Sequence, residues 1–152
     1  MELAAQTEIA LSPGDAFDAL SALPPMEHLA RHRALEVTRL DDTPALELGA
    51  RWRLAFALAG RHHAIIVRLA RVERPGLLLF ESRGEALTAR TRLVLMPGAG
   101  ARTHLRVALA PEARGLAGRV ALQAARLRRE RIEDGLAARL DAYARRLEGH
   151  AG

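Results

Sequence analysis

The chain has 152 residues, 49% of them apolar, and no cysteine. That length and composition fit one domain with a real core and exclude a disordered chain, disulfide bonds, thiolate metal sites and thiol nucleophiles. The 23 basic residues, every one an arginine, exceed the 18 acidic ones for a formal net charge of +5.

The absence of lysine marks a compositional bias rather than an anionic partner. The arginines are spread along the chain, and Phe17, Trp52, Phe56, Phe80 and Tyr143 are the aromatic residues. So few rings leave little for stacking bases, and no nucleic-acid partner is expected. The opening "MELAAQTEIALS" does not read as a signal peptide, and no apolar run approaches the ~20 residues of a membrane span. A cytoplasmic protein forming a single domain over residues 1–152 is expected.

"LAAQTEIAL" alternates, with Leu3, Ala5, Thr7, Ile9 and Leu11 on one face, and predicts a strand. In "SPGDAFDAL", Ser12 is an N-cap, Pro13 fits the first helical position and Asp15 favours the first turn. Phe17, Leu20 and Leu23 form the apolar stripe. Pro24 and Pro25 end that helix and open a second, from Met26 to about Arg33. "ALEVTRL" is then a short strand and "DDTP" a turn. "LELGARWRLAFAL" is a long strand with Leu46, Leu48, Trp52, Leu54, Phe56 and Leu58 on one face and Glu47, Arg51 and Arg53 on the other.

Hairpin arithmetic extends the sheet, because directly opposed residues share a face. A two-residue turn at Gly60 and Arg61, or at Ala59 and Gly60, sends His63, Ile65, Val67 and Leu69 inward. His62, Ala64, Ile66 and Arg68 then point outward. A three-residue turn would exchange the two histidines. A turn centred on Pro75 and Gly76 sends Leu78, Phe80 and Ser82 inward. After Gly84 and Glu85, the residues Leu87, Ala89, Thr91, Leu93 and Leu95 face in. "PGAGAR" leads to a last strand with Thr103, Leu105, Val107 and Leu109 inward. Gly115 to Glu148 holds no proline and predicts one long helix. Its apolar stripe shifts sides, from Leu116, Val120, Ala124 and Leu127 to Ile132, Leu136, Leu140, Tyr143 and Leu147. "RLRRER" marks the change, and Gly135 is a candidate site for a bend.

The order is strand, two short helices, six strands, long helix. It resembles the START-like helix-grip (SRPBCC) superfamily, which includes a polyketide cyclase/dehydrase-like group and a group similar to one of the subunits of carbon monoxide dehydrogenase. The points of resemblance are "EIALSPGDAFDAL", "LELGARWRL", "VERPGLLLFESRG" and "MPGAGARTHLRV". It implies an α+β fold in which a curved seven-stranded antiparallel sheet grips the long C-terminal helix, leaving a hollow between them.

A small hydrophobic ligand (a lipid, a polyketide-like molecule or a hydrophobic cofactor) would be bound or transported there. Its expected walls are Trp52, Leu54, Phe56, Ile65, Val67, Leu78, Phe80, Thr91, Leu93, Leu105 and Val107. Met26, Leu116 and Val120 are expected near the mouth. Few aromatics imply mainly aliphatic walls.

The inward polar groups are Thr7, His63, Ser82, Thr91, Thr103 and the Trp52 indole, the sparse set that orients an apolar ligand. His63 is the candidate general acid or base of a cyclase/dehydratase, with Ser or Thr partners and Arg71 on an oxyanion if its strand keeps register. The bland reading, a histidine hydrogen-bonded at the sheet's end, is favoured. A third reading is an accessory protein that delivers a ligand to a partner complex.

"HLARH" sets His28 and His32 four residues apart, a zinc-ligand spacing, but a third ligand and the glutamate of H-E-x-x-H are missing, so no metal is expected. No cofactor fingerprint is present either. Arg126, Arg128 and Arg129 offer a peripheral contact with lipid headgroups, and Ile66, Leu77 and Leu79 on the outer face offer a homodimer surface.

Overall fold

A computed structural model describes residues 1–58 and 60–151; the side chains of residues 58 and 151 are not described. The elements are β1 (Leu3–Ile9), α1 (Pro13–Ala22), α2 (Pro25–Leu29), β2 (Leu35–Arg39), β3 (Arg51–Leu58), β4 (Arg61–Glu73), β5 (Leu77–Arg83), β6 (Leu87–Pro97), β7 (Thr103–Ala113), α3 (Gly115–Leu127) and α4 (Arg129–Ala151). The strands form one antiparallel sheet in the order β1-β7-β6-β5-β4-β3-β2. The expected α+β helix-grip class, the two short helices and the seven strands are all present.

Ser12 caps α1 as expected, its Oγ accepting from the Asp15 N–H at 3.3 Å. Phe17 and Leu20 are buried beneath the helix. Tyr143 on α4 donates its hydroxyl to the Leu23 carbonyl at 2.7 Å, tying the end of α1 to α4. Burial pushes the Tyr143 phenol far above its ordinary value.

β1 is an edge strand, with N–H groups that face away from β7. Acidic residues of α4 satisfy two backbone N–H groups along this edge. The Ala4 N–H donates to Glu133 at 2.8 Å and the Ala10 N–H to Glu148 at 2.6 Å, while Thr7 Oγ1 donates to Asp141 at 2.9 Å. α4 therefore lies along β1, and Leu140, Tyr143, Ala144 and Leu147 are buried on it.

Four expectations change. The strand predicted from Leu46 begins at Arg51. Pro44 accepts from the Glu47 N–H, and Gly49 takes a positive φ of 89°, so residues 44–50 turn; Leu46 is buried but Leu48 is 63% exposed. The second short helix stops at Leu29 rather than near Arg33.

The third change concerns β4. Leu69 pairs with Phe80, yet Arg71 pairs with Leu79, so Ala70 forms a bulge. Glu73 pairs with Leu77, which leaves three loop residues instead of two. Each extra residue flips the facing of the residues after it, and the two flips cancel beyond the turn. Leu78, Phe80 and Ser82 thus face inward as expected. Between the bulge and the turn, however, Val72 takes the inward place, and Arg71 points outward to pair with Glu73. The oxyanion role considered for Arg71 is therefore excluded.

Fourth, the long helix is two helices. The joint is Arg128 (φ −114°, ψ 17°), inside "RLRRER", and not Gly135, which lies within α4. The break lets each half take its own roll: α4 turns Leu140, Tyr143 and Leu147 into the core, while Leu116, Val120 and Leu127 of α3 are exposed.

Register also gathers the arginines that the sequence spreads out. On the convex face Arg51 opposes Arg68, Arg68 opposes Glu81, and Glu81 opposes Arg90. Arg53 and Arg83 flank Ile66, and Arg92 opposes Leu79. All six arginines are exposed. The spread-out arginines that counted against an anionic partner are thus a grid in space. The scarcity of rings still holds for this face, because Trp52, Phe56 and Phe80 lie on the concave side.

Candidate functional site

The concave face is sealed at one end and open at the other. Trp52, Leu54, Val67, Leu69, Leu78, Phe80, Leu93, Leu95, Leu105 and Val107 are buried in one core with α1, α2 and α4. Met26, expected near a mouth, is 4% exposed and belongs to that core. Towards the tips of the β3–β4 and β5–β6 hairpins, the same face holds Phe56, His63, Ile65, Ser82, Ala89, Thr91, Leu109 and Pro111, all half-buried. The expected wall residues therefore divide. Eight are core, and Phe56, Ile65 and Thr91, with His63, form an accessible floor.

Leu58 pairs with Arg61 and Phe56 with His63. That pairing fits the expected two-residue turn at Ala59 and Gly60, of which Gly60 has a φ of 76° and Ala59 lies outside the described residues. His63 faces inward and His62 outward, as the two-residue turn requires. The His63 ring stacks on Phe56, with centroids 5.5 Å apart at 22°.

His63, Ser82 and Thr91 make no side-chain hydrogen bond among the described residues. Thr7 and Thr103 are spent on structure, the latter donating to the Leu11 carbonyl at 2.8 Å. Ser82 sits opposite Val67, four residues along β4 from His63. At the strand rise that is about 13 Å, far outside hydrogen-bond reach. Thr91 lies in the row of Leu69 and Phe80, farther still. The floor therefore gives His63 no hydroxyl partner.

α3 starts at this open end and packs on β7 and the start of α4. The backbone N–H of Arg114 donates to the Ala86 carbonyl at 2.7 Å, and its guanidinium to the Gly84 carbonyl. At Gly118 a Cβ would stand 2.0 Å from the Ala86 carbonyl oxygen, so only glycine lets the helix lie this close to the β5–β6 turn.

Leu116 and Val120, expected at the mouth, are 77% and 61% exposed and point away from the sheet. A groove of about 340 Å³ lies along α3, lined by Ala113 at the end of β7 and by Arg119, Leu122, Gln123 and Arg126.

Two polar clusters lie elsewhere. Arg39 is in the apolar register of "LEVTR", directly opposite Trp52. Its guanidinium lies over the indole, 5.0 Å from the centroid, and pairs with Asp41 at 3.0 Å. Partial desolvation raises the Asp41 carboxyl, but the N–H groups of Thr43 and Arg51 and the charge of Arg39 outweigh it, holding the group below its ordinary value. The inward Arg39 was legible as the third member of the Leu35, Val37 alternation.

His28 accepts from Arg146 at 3.2 Å and lies 4.7 Å from the Tyr143 ring. Burial first, then Arg146 and Arg31, lower it from its ordinary value of 6.5. His32, beyond the end of α2, lies 3.0 Å from an Arg139 nitrogen. The two histidines face separate guanidinium groups, and no group of three metal-ligating side chains occurs among the described residues.

No protein-family profile and no curated protein matches the chain. Solved structures do. A protein of Thermus thermophilus matches with a TM-score of 0.70 at 17% identity, over 100% of both chains. A norcoclaurine synthase of Thalictrum flavum, a point mutant in complex with a transition-state analogue, matches at 0.71 and 12% identity, over 100% of this chain and 96% of its own. The Zhui aromatase/cyclase of a Streptomyces species matches at 0.65 and 13%, over 99% and 93%. A START superfamily protein of Mycobacterium smegmatis matches at 0.60 and 16%, over 99% and 96%. The likeness is one of fold: the chain has the START-like helix-grip architecture. No helix among the described residues is long and apolar enough to cross a membrane.

Proposed function

We propose that this chain is a cytoplasmic carrier that binds a small hydrophobic molecule on the open end of its concave face, between the β3–β4 hairpin and α3. One observation carries the reading. The inward face is sealed along most of its length, yet Phe56, Ile65 and Leu109 at one end keep access to solvent, beside His63, Ser82 and Thr91 with hydrogen-bonding capacity to spare. An apolar floor with a few unspent polar groups suits a mostly apolar ligand with one or two polar atoms. Affinity would come from removing apolar surface from water, at ~25 cal/mol per Å².

The fold neighbours include a norcoclaurine synthase in complex with a transition-state analogue and an aromatase/cyclase, which supports a small-molecule ligand without naming it. The enzymatic alternative rests on His63 alone, since Ser82 and Thr91 are out of its reach. If His63→Ala leaves every candidate cyclisation or dehydration unchanged, that alternative ends. The homodimer expected through Ile66, Leu77 and Leu79 is disfavoured. An isologous contact would set the arginine grid against its own copy.

The test is native mass spectrometry of freshly purified protein. A co-purifying hydrophobic molecule, lost in the Ile65→Arg variant, is the expected result. An empty protein whose affinity for alkyl or polycyclic probes is unchanged by Ile65→Arg would end the proposal.

A further inference from the structure

α3 is packed with its small side to the protein. Gly118 is buried and Ala121, Leu122 and Ala125 are half-buried, spaced at three and four residues. On the opposite side Leu116, Val120 and Leu127 are 77%, 61% and 87% exposed. A helix that only served the core would be rolled the other way. The roll is pinned, because Gly118 is seated against the Ala86 carbonyl and Arg114 is bonded to the β5–β6 turn.

The charges on α3 itself have one sign, and Glu130 and Glu133 of α4 border only its Leu127 end. No acidic residue occurs from Ala113 to Arg129, while Arg119, Arg126 and Arg128 are exposed there. At 100° per residue, Arg119 and Arg126 lie together along one flank of the stripe.

We propose that α3 docks the protein on a bilayer rich in anionic phospholipid. Leu116, Val120 and Leu127 enter the boundary between headgroups and acyl chains, and Arg119, Arg126 and Arg128 meet the phosphates. An apolar face bordered by cations is the signature of a helix lying in a membrane interface. A second copy of the chain fits worse. An isologous contact would bring the same arginines together with no acid on α3 to receive them. This docking needs no bound ligand; where the proposed carrier function also holds, it sets the open floor at the membrane surface.

The test is co-sedimentation of the full-length, ligand-free protein with vesicles of phosphatidylcholine alone or equimolar with phosphatidylglycerol. Binding should need phosphatidylglycerol and weaken with salt. The double variant Arg119→Ser/Arg126→Ser should bind about thirtyfold more weakly. Replacing Leu116, Val120 and Leu127 with serine should reduce binding about a hundredfold or more. These positions are exposed, so circular dichroism should be unchanged. In Val120→Trp, the new indole should shift its emission to the blue on the mixed vesicles.

Equal binding to both vesicle types, or binding indifferent to the three serine replacements, overturns the proposal. So does a concentration-dependent dimer abolished by those replacements without vesicle binding. Each readout is made without ligand, so an empty cavity in the carrier test leaves it unaffected.

Discussion

α3 and α4 are joined at one residue and built from the same alphabet of alanine, leucine and arginine, yet they treat it oppositely. α4 buries Leu140, Tyr143 and Leu147 and pairs arginines with acids, Arg129 with Glu133 and Arg145 with Asp141 and Glu148. α3 buries Gly118, half-buries Ala121, Leu122 and Ala125, exposes Leu116, Val120 and Leu127, and has no acid in its own length. The difference separates stability from exposure. α4 closes one end of the concave face, and α3 leaves the other end open. Amphipathic spacing fixes which residues share a helix face, but the contacts at each helix end fix which face turns inward.

The largest effect should come from truncating the two stripes. Leu147→Ala removes a fully buried side chain and should cost about 2–5 kcal/mol in urea unfolding. Leu127→Ala, at 87% exposure, should stay within about 0.5 kcal/mol. Comparable losses at both positions would mean that α3 covers the sheet in solution, and the contrast would collapse.

Two glycines sharpen it next. Gly118→Ala drives a Cβ against a backbone carbonyl and should destabilise by about 1–3 kcal/mol. Gly135→Ala meets nothing within 4 Å and should stabilise α4 by roughly 0.5–1 kcal/mol. If Gly135 were the bend, the alanine would not help.

Much of this is legible in the amino-acid order alone. Period-two alternation and turn counting place Trp52, Val67, Phe80, Leu93 and Val107 on one face, and the Phe56–His63 pairing keeps the parity expected for His63. What fails is whatever a second partner decides. The bulge at Ala70 and the extra loop residue before Leu77 cancel, so the facing of β5 gives no sign of either, and Arg71 is misplaced between them. The stripe Leu116, Val120 and Leu127 is visible, but its direction depends on Gly118 meeting the carbonyl of Ala86, 32 positions earlier in the chain. The hollow expected between the sheet and the long helix is an open floor for the same reason.

His28 carries a pH prediction on the sealed side. Its folded form is lowered from 6.5 by burial, Arg146 and Arg31, so the unfolded chain binds more protons just below that value. Stability should therefore fall as pH drops through the ordinary histidine value, from about pH 7 towards about pH 5. His28→Phe keeps a ring against Tyr143 and removes the proton, and the fall should become shallower. An unchanged slope would place the pH dependence on other groups and leave the α2–α4 contact without this signature.

The smallest effects concern charge clustering outside the helices. α4 shows arginines with partners; among the described residues the convex grid pairs Arg68 with Glu81, and its other arginines, like those of α3, form no ion pair. Arg51 faces Arg68 directly, a like-charge cross-strand pair, whereas Arg90 faces Glu81. Arg51→Thr keeps strand propensity and should stabilise by roughly 0.2–1 kcal/mol, while Arg90→Thr should destabilise by a similar amount. Both shifts should shrink as salt is raised, because all four side chains are exposed or half-exposed. Thermal unfolding of the two variants at low and high salt reads the pair of signs together. Opposite signs would show that the grid costs stability where its charges lack partners, the same cost that α3 bears along Arg119 and Arg126. Equal signs would mean that solvent screens the sheet's arginines fully, and that the contrast between paired and unpaired cations belongs to the helices alone.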